Sequence, residues 1–229
     1  WEVVDGCLRL RAGGRGGALV TERVFGDFEL EFEWKTAAAG NSGVKYRVPP
    51  RDTPARGMVG PEYQILDAAH RDAASPLTAT ASLYAVVAAE GAVPAATGAF
   101  NRSRIVARGG RLEHWLNGVR VLAAEVGSPD WERAIAASKF AGAAGFASGV
   151  GHIGLQDHGD EVWFRDLRVR DLSAPPGRAV ELFDGATLAG WRELGDAVWT
   201  VEDGTILGEV GGGAQSFLAT EAEYGDFIL

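Results

Sequence analysis

Apolar and polar residues alternate along much of this chain. In GDFELEFEW, Phe28, Leu30, Phe32 and Trp34 alternate with Glu29, Glu31 and Glu33, a pattern that predicts a strand with one buried and one wet face. GVKYRV sets Val44, Tyr46 and Val48 against Lys45 and Arg47. EYQILD sets Tyr63 and Ile65 against Glu62 and Gln64, and HIGLQ sets Ile153 and Leu155 against Gly154 and Gln156. RSRIVARGGRLEHWLNGVRVL reads as strands around turns at Gly109-Gly110 and Asn117-Gly118, Asn-Gly being the strongest short hairpin signal. One helix is predicted over SPDWERAIAASKF, with Ser128 or Asp130 as N-cap and Pro129 in the first turn. Many short strands joined by frequent turns predict an all-β antiparallel sandwich.

The beginning and end of the chain match each other. WEVVDGCLRL from residue 1 parallels WTVEDGTILG from residue 199, and LVTERVFGDFEL (19–30) parallels LATEAEYGDFIL (218–229). Such a long period is not a solenoid repeat; it predicts two tandem copies of one domain. The expected boundaries are a first copy over 1–172, a Pro- and Gly-containing linker over 173–180, and the start of a second, truncated copy over 181–229. ELFDGATLAGW (181–191) opens the second copy, and its equivalent in the first copy is missing. Both ends look cut, so a targeting segment is expected to lie outside the sequence.

Charge narrows the partner class. The net charge is −9 and the basic residues are scattered, which disfavours nucleic acid or an anionic membrane and leaves a neutral ligand as the better fit. No apolar run reaches the length of a membrane span. The lone Cys7 excludes an internal disulfide and reads as a small buried residue. The basic residues are nearly all Arg, a composition bias rather than a functional signal.

Several candidate chemistries can be weighed on spacing. Glu29, Glu31 and Glu33 resemble the strand-borne acids of sandwich-fold glycosidases. The plainer reading is a solvent-facing, dispensable strand face, and Glu29 corresponds to Ile228 in the second copy. His152 and His158 with Asp157 and Asp160 are candidate ligands for a divalent metal, but no His-x-His or His-x3-His pair is present, DAAH (67–70) has the same weakness, and no cofactor is expected. The Gly-rich stretch 13–17 lacks the following helix of a phosphate loop. A stronger constellation comes from several strands at once: Asn41, Lys45 and Arg47; Glu62 and Gln64; Gln156 and His158; and His114 beside a turn. If these strands share a sheet, their polar faces converge on a groove whose amide, carboxylate and guanidinium groups suit sugar hydroxyls. Trp115 and Trp163 are candidates to stack on a pyranose.

LFDGATLAGW, WTVEDGTI, TEAEYGDFIL, NSGVKYR, EYQILD, RIVARGGRLEHWLNGVRV and GHIGLQDHGDEVWFRDLRVRDL together resemble the 3-keto-disaccharide hydrolase family, once known only as a domain of unknown function. The resemblance covers residues 1–172 and again 181–229. It implies a concanavalin-like lectin/glucanase β-sandwich (a jelly roll) and action on glycosides already oxidised to a ketone at C3. It also implies a periplasmic or cell-surface location. The loop VPPRDTPARGMVGPEYQ is unusually rich in Pro and Gly and would border the groove.

That chemistry has a physical logic. A 3-ketone acidifies the C2 proton; a base removes it while donors hold the enolate oxygen, and the C1 oxygen then leaves by elimination, followed by hydration. On this reading Glu62 or His158 is the base and His114 a proton donor. Asn41, Lys45, Arg47, Gln64, Gln156, Asp157 and Trp115 bind the sugar. The competing classes are a non-catalytic, lectin-like carbohydrate-binding module and a structural adhesion domain.

Overall fold

The computed structural model describes residues 1–13, 17–49, 59–143, 145–147, 149–173, 182–209 and 216–222. The expected linker lies outside them apart from Ser173, as does most of the Pro- and Gly-rich loop, the centre of the 13–17 stretch and the end of the second repeat block. The chain divides into two compact units, residues 1–174 and 175–229.

Unit 1 is two antiparallel sheets. The larger runs in the order β1 (Glu2–Val4), β2 (Cys7–Leu10), β11 (Val162–Asp171), β4 (Phe28–Thr36), β7 (Asn101–Arg108), β8 (Arg111–Leu116), β9 (Val119–Glu125). The smaller runs β3 (Leu19–Val20), β10 (His152–Leu155), β5 (Asn41–Val48), β6 (Glu62–Leu66). The alternation in β4 is realised strictly: Phe28, Leu30, Phe32, Trp34 and Thr36 are buried, and the residues between them are partly exposed. Its aromatic rings meet those of the smaller sheet, with Phe28 5.9 Å from Tyr46 and Phe32 5.6 Å from Tyr63 between ring centroids, in the edge-to-face geometry that aromatic quadrupoles prefer. The fold is thus an all-β sandwich. Helix α1 (Pro129–Ala137) is capped by Ser128, whose Oγ accepts the Trp131 N–H at 3.2 Å, and it buries Trp131 against the core. This leaves Asp130 as a first-turn acid, favourable at the helix N-terminus.

The acidic face of β4 is wet but engaged. Glu29 pairs with Arg170 (2.6 Å) and Arg104 (3.5 Å), Glu31 with Arg102 (2.9 Å), and Glu33 with Arg165 (2.7 Å). These are partly exposed pairs, each worth on the order of 0–1 kcal/mol. They hold the outer face of the large sheet together with cross-strand charge.

The inner face carries two polar links. Trp34 Nε1 donates to Ser103 Oγ at 2.8 Å, and Ser103 Oγ is also 2.8 Å from the Tyr63 hydroxyl. His114, expected at the groove, lies instead fully inside the core on the inward parity of β8. Its Nδ1 is 2.9 Å from the Ala81 carbonyl and its Nε2 2.9 Å from the Tyr46 hydroxyl. Because a carbonyl only accepts, Nδ1 carries the proton and Nε2 accepts from Tyr46. Both ring nitrogens are therefore committed within the sandwich, and His114 is corrected from proton donor to structural residue.

In unit 2, β12 (Trp191–Leu194) pairs with β15 (Phe217–Thr220), and β13 (Val198–Glu202) with β14 (Thr205–Glu209). The β13–β14 turn has Asp203 and Gly204 at φ 48° and 73°. The β1–β2 turn has Asp5 and Gly6 at 49° and 73°, so the two Asp-Gly hairpins aligned in the sequence turn alike, through two successive left-handed residues.

Burial holds the pKa of His114 down to about 4, against the opposing pull of the Ala81 carbonyl, from an ordinary 6.5. The unfolded chain therefore binds a proton that the fold refuses between those values. Stability is intact above pH 6.5 and is lost as pH falls toward 4, by about 3 kcal/mol at most for this group. In His114→Gln, the urea-unfolding free energy of the protein should lose up to one proton's worth of slope across this window. An unchanged slope would show that His114 is not the titrating group.

Candidate active site

The outer face of the smaller sheet brings the polar residues of three strands together. Lys45 pairs in register with Glu62 across β5 and β6, and Gly43 with Gln64. On the other side of β5, Gln156 just beyond β10 donates its backbone N–H to the Gly43 carbonyl at 2.9 Å, and its own carbonyl accepts from Ser42 Oγ. Lys45 Nζ lies 3.3 Å from Glu62 Oε2. Gln64 Nε2 donates to Asn41 Oδ1 at 3.0 Å, and both side chains are buried. The predicted convergence of Asn41, Lys45, Glu62, Gln64 and Gln156 is therefore realised on one sheet face.

Glu62 is the central group. It is 4% exposed, and burial raises its pKa above the ordinary 4.5, although Lys45 first, then Lys139 and His158, pull the other way. A carboxyl whose charged form is destabilised by its surroundings and balanced by nearby cations is suited to proton transfer. The carboxylate lies flat on the backbone of β5, which needs a residue with no side chain: a Cβ at Gly43 would come 2.6 Å from Glu62 Oε1 and 3.0 Å from its Cγ. Gln156 Oε1 is buried at the same face and has no hydrogen-bond partner among the described residues.

Several sequence expectations are corrected or narrowed. Arg47 does not share the face of Lys45. Lys45 and Val48 pair with Gly154 and His152 of β10, so two residues of β5 oppose one of β10. Arg47 sits in that bulge at φ 48°, and strand parity fails there. Its buried guanidinium donates to the Gly26, Gly109 and Ala147 carbonyls and pairs with Asp27, tying loops together. Trp115 and Trp163 lie on the outer face of the other sheet. Trp115 stacks under Arg104 and donates to Glu113, while Trp163 faces Arg9 and Lys35. Asp157 accepts the Gly17 and Gly159 N–H groups, both at 2.9 Å, so both its oxygens fasten the turn. His158, on that exposed turn, is near enough to Glu62 to act on its charge. His152 faces away, its Nδ1 donating to the Thr21 carbonyl at 2.7 Å.

Two residues at this site were missed in the sequence. Tyr84 donates its backbone N–H to the Glu62 carbonyl at 3.0 Å, and Lys139 places Nζ 4.2 Å from the centre of the Tyr84 ring. One signal was present: the chain has only three lysines, Lys35, Lys45 and Lys139, and two of them flank Glu62.

Comparison with known proteins places the chain. The 3-keto-α-glucoside-1,2-lyase-like domain family matches residues 1–170 and 178–229. The chain belongs to this family. A 3-keto-disaccharide hydrolase of Bacteroides thetaiotaomicron is 32% identical over 203 residues, covering 75% of this chain and 70% of that protein. Among solved structures, a proposed glycosyl hydrolase from Parabacteroides distasonis is similar at a TM-score of 0.67 and 28% identity, covering 75% of this chain and 83% of that one. A second from the same organism is similar at 0.57 and 26%, covering 75% and 90%.

The Gly43–Glu62 contact gives a direct test of the geometry. Gly43→Ala should destabilise the protein by about 1 kcal/mol or more, toward the low end of the overpacking range, because the added methyl must push the Glu62 side chain from its place beside Lys45. In a Glu62→Ala background the same change should cost little. Urea unfolding of both singles and the double variant should give a coupling of at least about 1 kcal/mol; additive costs would mean the methyl clashes elsewhere.

Proposed function

We propose that this protein cleaves 3-keto-glycosides by removing the proton at C2 and expelling the C1 substituent, with water adding afterwards so that the net result is hydrolysis. The carrying observation is the buried carboxylate of Glu62, raised in pKa and set beside the Lys45 ammonium. Glu62 is the base. A ketone at C3 makes the C2 proton acidic enough for a carboxylate to remove, and the enolate oxygen then needs a cation or donors close by. Lys45, 3.3 Å from the base, supplies the nearest positive charge, and Gln64 and Gln156 supply amides along the same face. The family and the B. thetaiotaomicron relative, named as a 3-keto-disaccharide hydrolase, support the substrate class.

This mechanism uses one base rather than a nucleophile and acid pair. The acidic row Glu29, Glu31 and Glu33 is held by arginines on the other sheet, so a two-carboxylate glycosidase site does not form there. A lectin-like module would use the same amides, but it gains nothing from a carboxylate kept largely out of water, whose burial costs stability that the Lys45 contact only partly offsets.

Turnover of a 3-keto-disaccharide and its unoxidised parent tests the reading; only the keto sugar should be cleaved. With C2-deuterated substrate, the label should be lost to solvent or slow the reaction. Glu62→Gln should lower kcat/KM by roughly 10²–10⁴-fold. Because its pKa is raised, wild-type kcat/KM should fall as pH drops through a range above 4.5, and Glu62→Gln should lose that limb. Binding of both sugars with no turnover of either would make the protein a carbohydrate-binding module instead.

A further inference from the structure

Expulsion of the C1 oxygen raises a question that Glu62 and Lys45 do not answer: what protonates the leaving group. Glu62 holds the proton taken from C2, and Lys45 is already paired with Glu62. Among the described residues, the other lysine that acts on Glu62 is Lys139. It follows helix α1, and its ammonium rests 4.2 Å from the centre of the Tyr84 ring and 5.2 Å from that of Phe140. Phe140 is itself stacked on Phe146 at 4.4 Å, and Phe146 on the buried Trp131 at 6.1 Å. On the other side, Tyr84 is fastened to the Glu62 main chain by its N–H. A chain of contacts thus runs from the core to an exposed ammonium at the rim of the site. Aromatic faces hold a cation while leaving its N–H bonds free to point outward.

We propose, resting on the function above, that Lys139 is the proton donor to the departing C1 oxygen. The electrons balance without another reagent. The C2–H pair forms the enolate, Glu62 takes the proton, and the enolate re-forms the C3 ketone as the C1–C2 double bond forms and the C1–O bond breaks. That bond's pair stays on the leaving oxygen, which takes a proton from the Lys139 ammonium. Lys35, the third lysine, cannot substitute, since it lies on the outer face of the other sheet between Phe100 and Trp163.

Leaving-group dependence separates this role from simple packing or charge. An alkoxide leaving group such as a second sugar needs protonation, whereas 4-nitrophenolate does not. For Lys139→Met, turnover of a 3-keto-disaccharide should fall by roughly 10²-fold or more, and that of 4-nitrophenyl 3-keto-glucoside by less than about fivefold. Lys139→Arg keeps the charge and the stacking, but guanidinium is a far weaker acid, so it should remain slow on the disaccharide alone. Equal losses on both substrates would overturn the proposal, as would undiminished disaccharide cleavage. A leaving-group-selective loss in His158→Ala but not in Lys139→Met would overturn it too and assign the proton to His158. If wild type cleaves neither substrate, the proposed function itself fails; a wild type active on both isolates the question to Lys139.

Discussion

The contact between Lys45 and Glu62 is possible only because β5 and β6 commit their other face to the core. Val44 and Tyr63 pair in register on the inner side, and Tyr46 and Tyr63 pack against Phe28 and Phe32 of the opposing sheet. With period-two geometry, fixing those residues inward forces Lys45, Glu62 and Gln64 outward. A one-residue slip would put a carboxylate and an ammonium among the aromatic rings and leave Tyr63 in water. The hydrophobic interior therefore sets the register that assembles the polar site, and the site owes its shape to side chains that never touch it.

Burial at that face then does two opposing things. It destabilises the Glu62 carboxylate, which makes it a better proton acceptor, and it demands compensation from cations. Lys45 supplies this in direct contact, while Lys139 and His158 act from the rim. Complete neutralisation would return the carboxyl to an ordinary acid, and none at all would leave it protonated and inert as a base. The balance leaves the pKa raised with the Lys45 ammonium 3.3 Å from the carboxyl. Gly43 contributes by absence, since any side chain there would displace the carboxylate from the backbone it rests on.

How much of this could be read from the sequence depended on whether strand alternation was intact. It was intact for β4, β6 and most of β5, so the sandwich, the inward aromatic face and the gathering of Asn41, Lys45, Glu62, Gln64 and Gln156 were all legible. Alternation broke at the β5 bulge, and Arg47 went with it. His114 and Trp115 are neighbours on β8 and necessarily face opposite ways. Placing them required knowing which face of β8 turns inward, and Leu112 and Leu116 flanking His114 at two-residue spacing already indicated it. Asp157 differs for another reason: one of its oxygens satisfies the local Gly159 N–H of a glycine turn and the other the distant Gly17 N–H, and its spacing looks the same as that of a ligand.

Lys139 and Tyr84 could not be placed at the site by any periodicity. They belong to segments without strand pattern, and their positions follow from packing: Lys139 from the Trp131–Phe146–Phe140 stack, Tyr84 from pairing of its segment along β6. A rigid sheet face projects its side chains in one direction and can place a base there, but it cannot reach a substrate from the opposite side. Groups that must meet a substrate from above come from loops braced against the core, and here that brace is aromatic. The division of labour follows from the sandwich itself, in which the sheet fixes the buried carboxylate and the covering loop carries a solvent-facing cation held against aromatic rings.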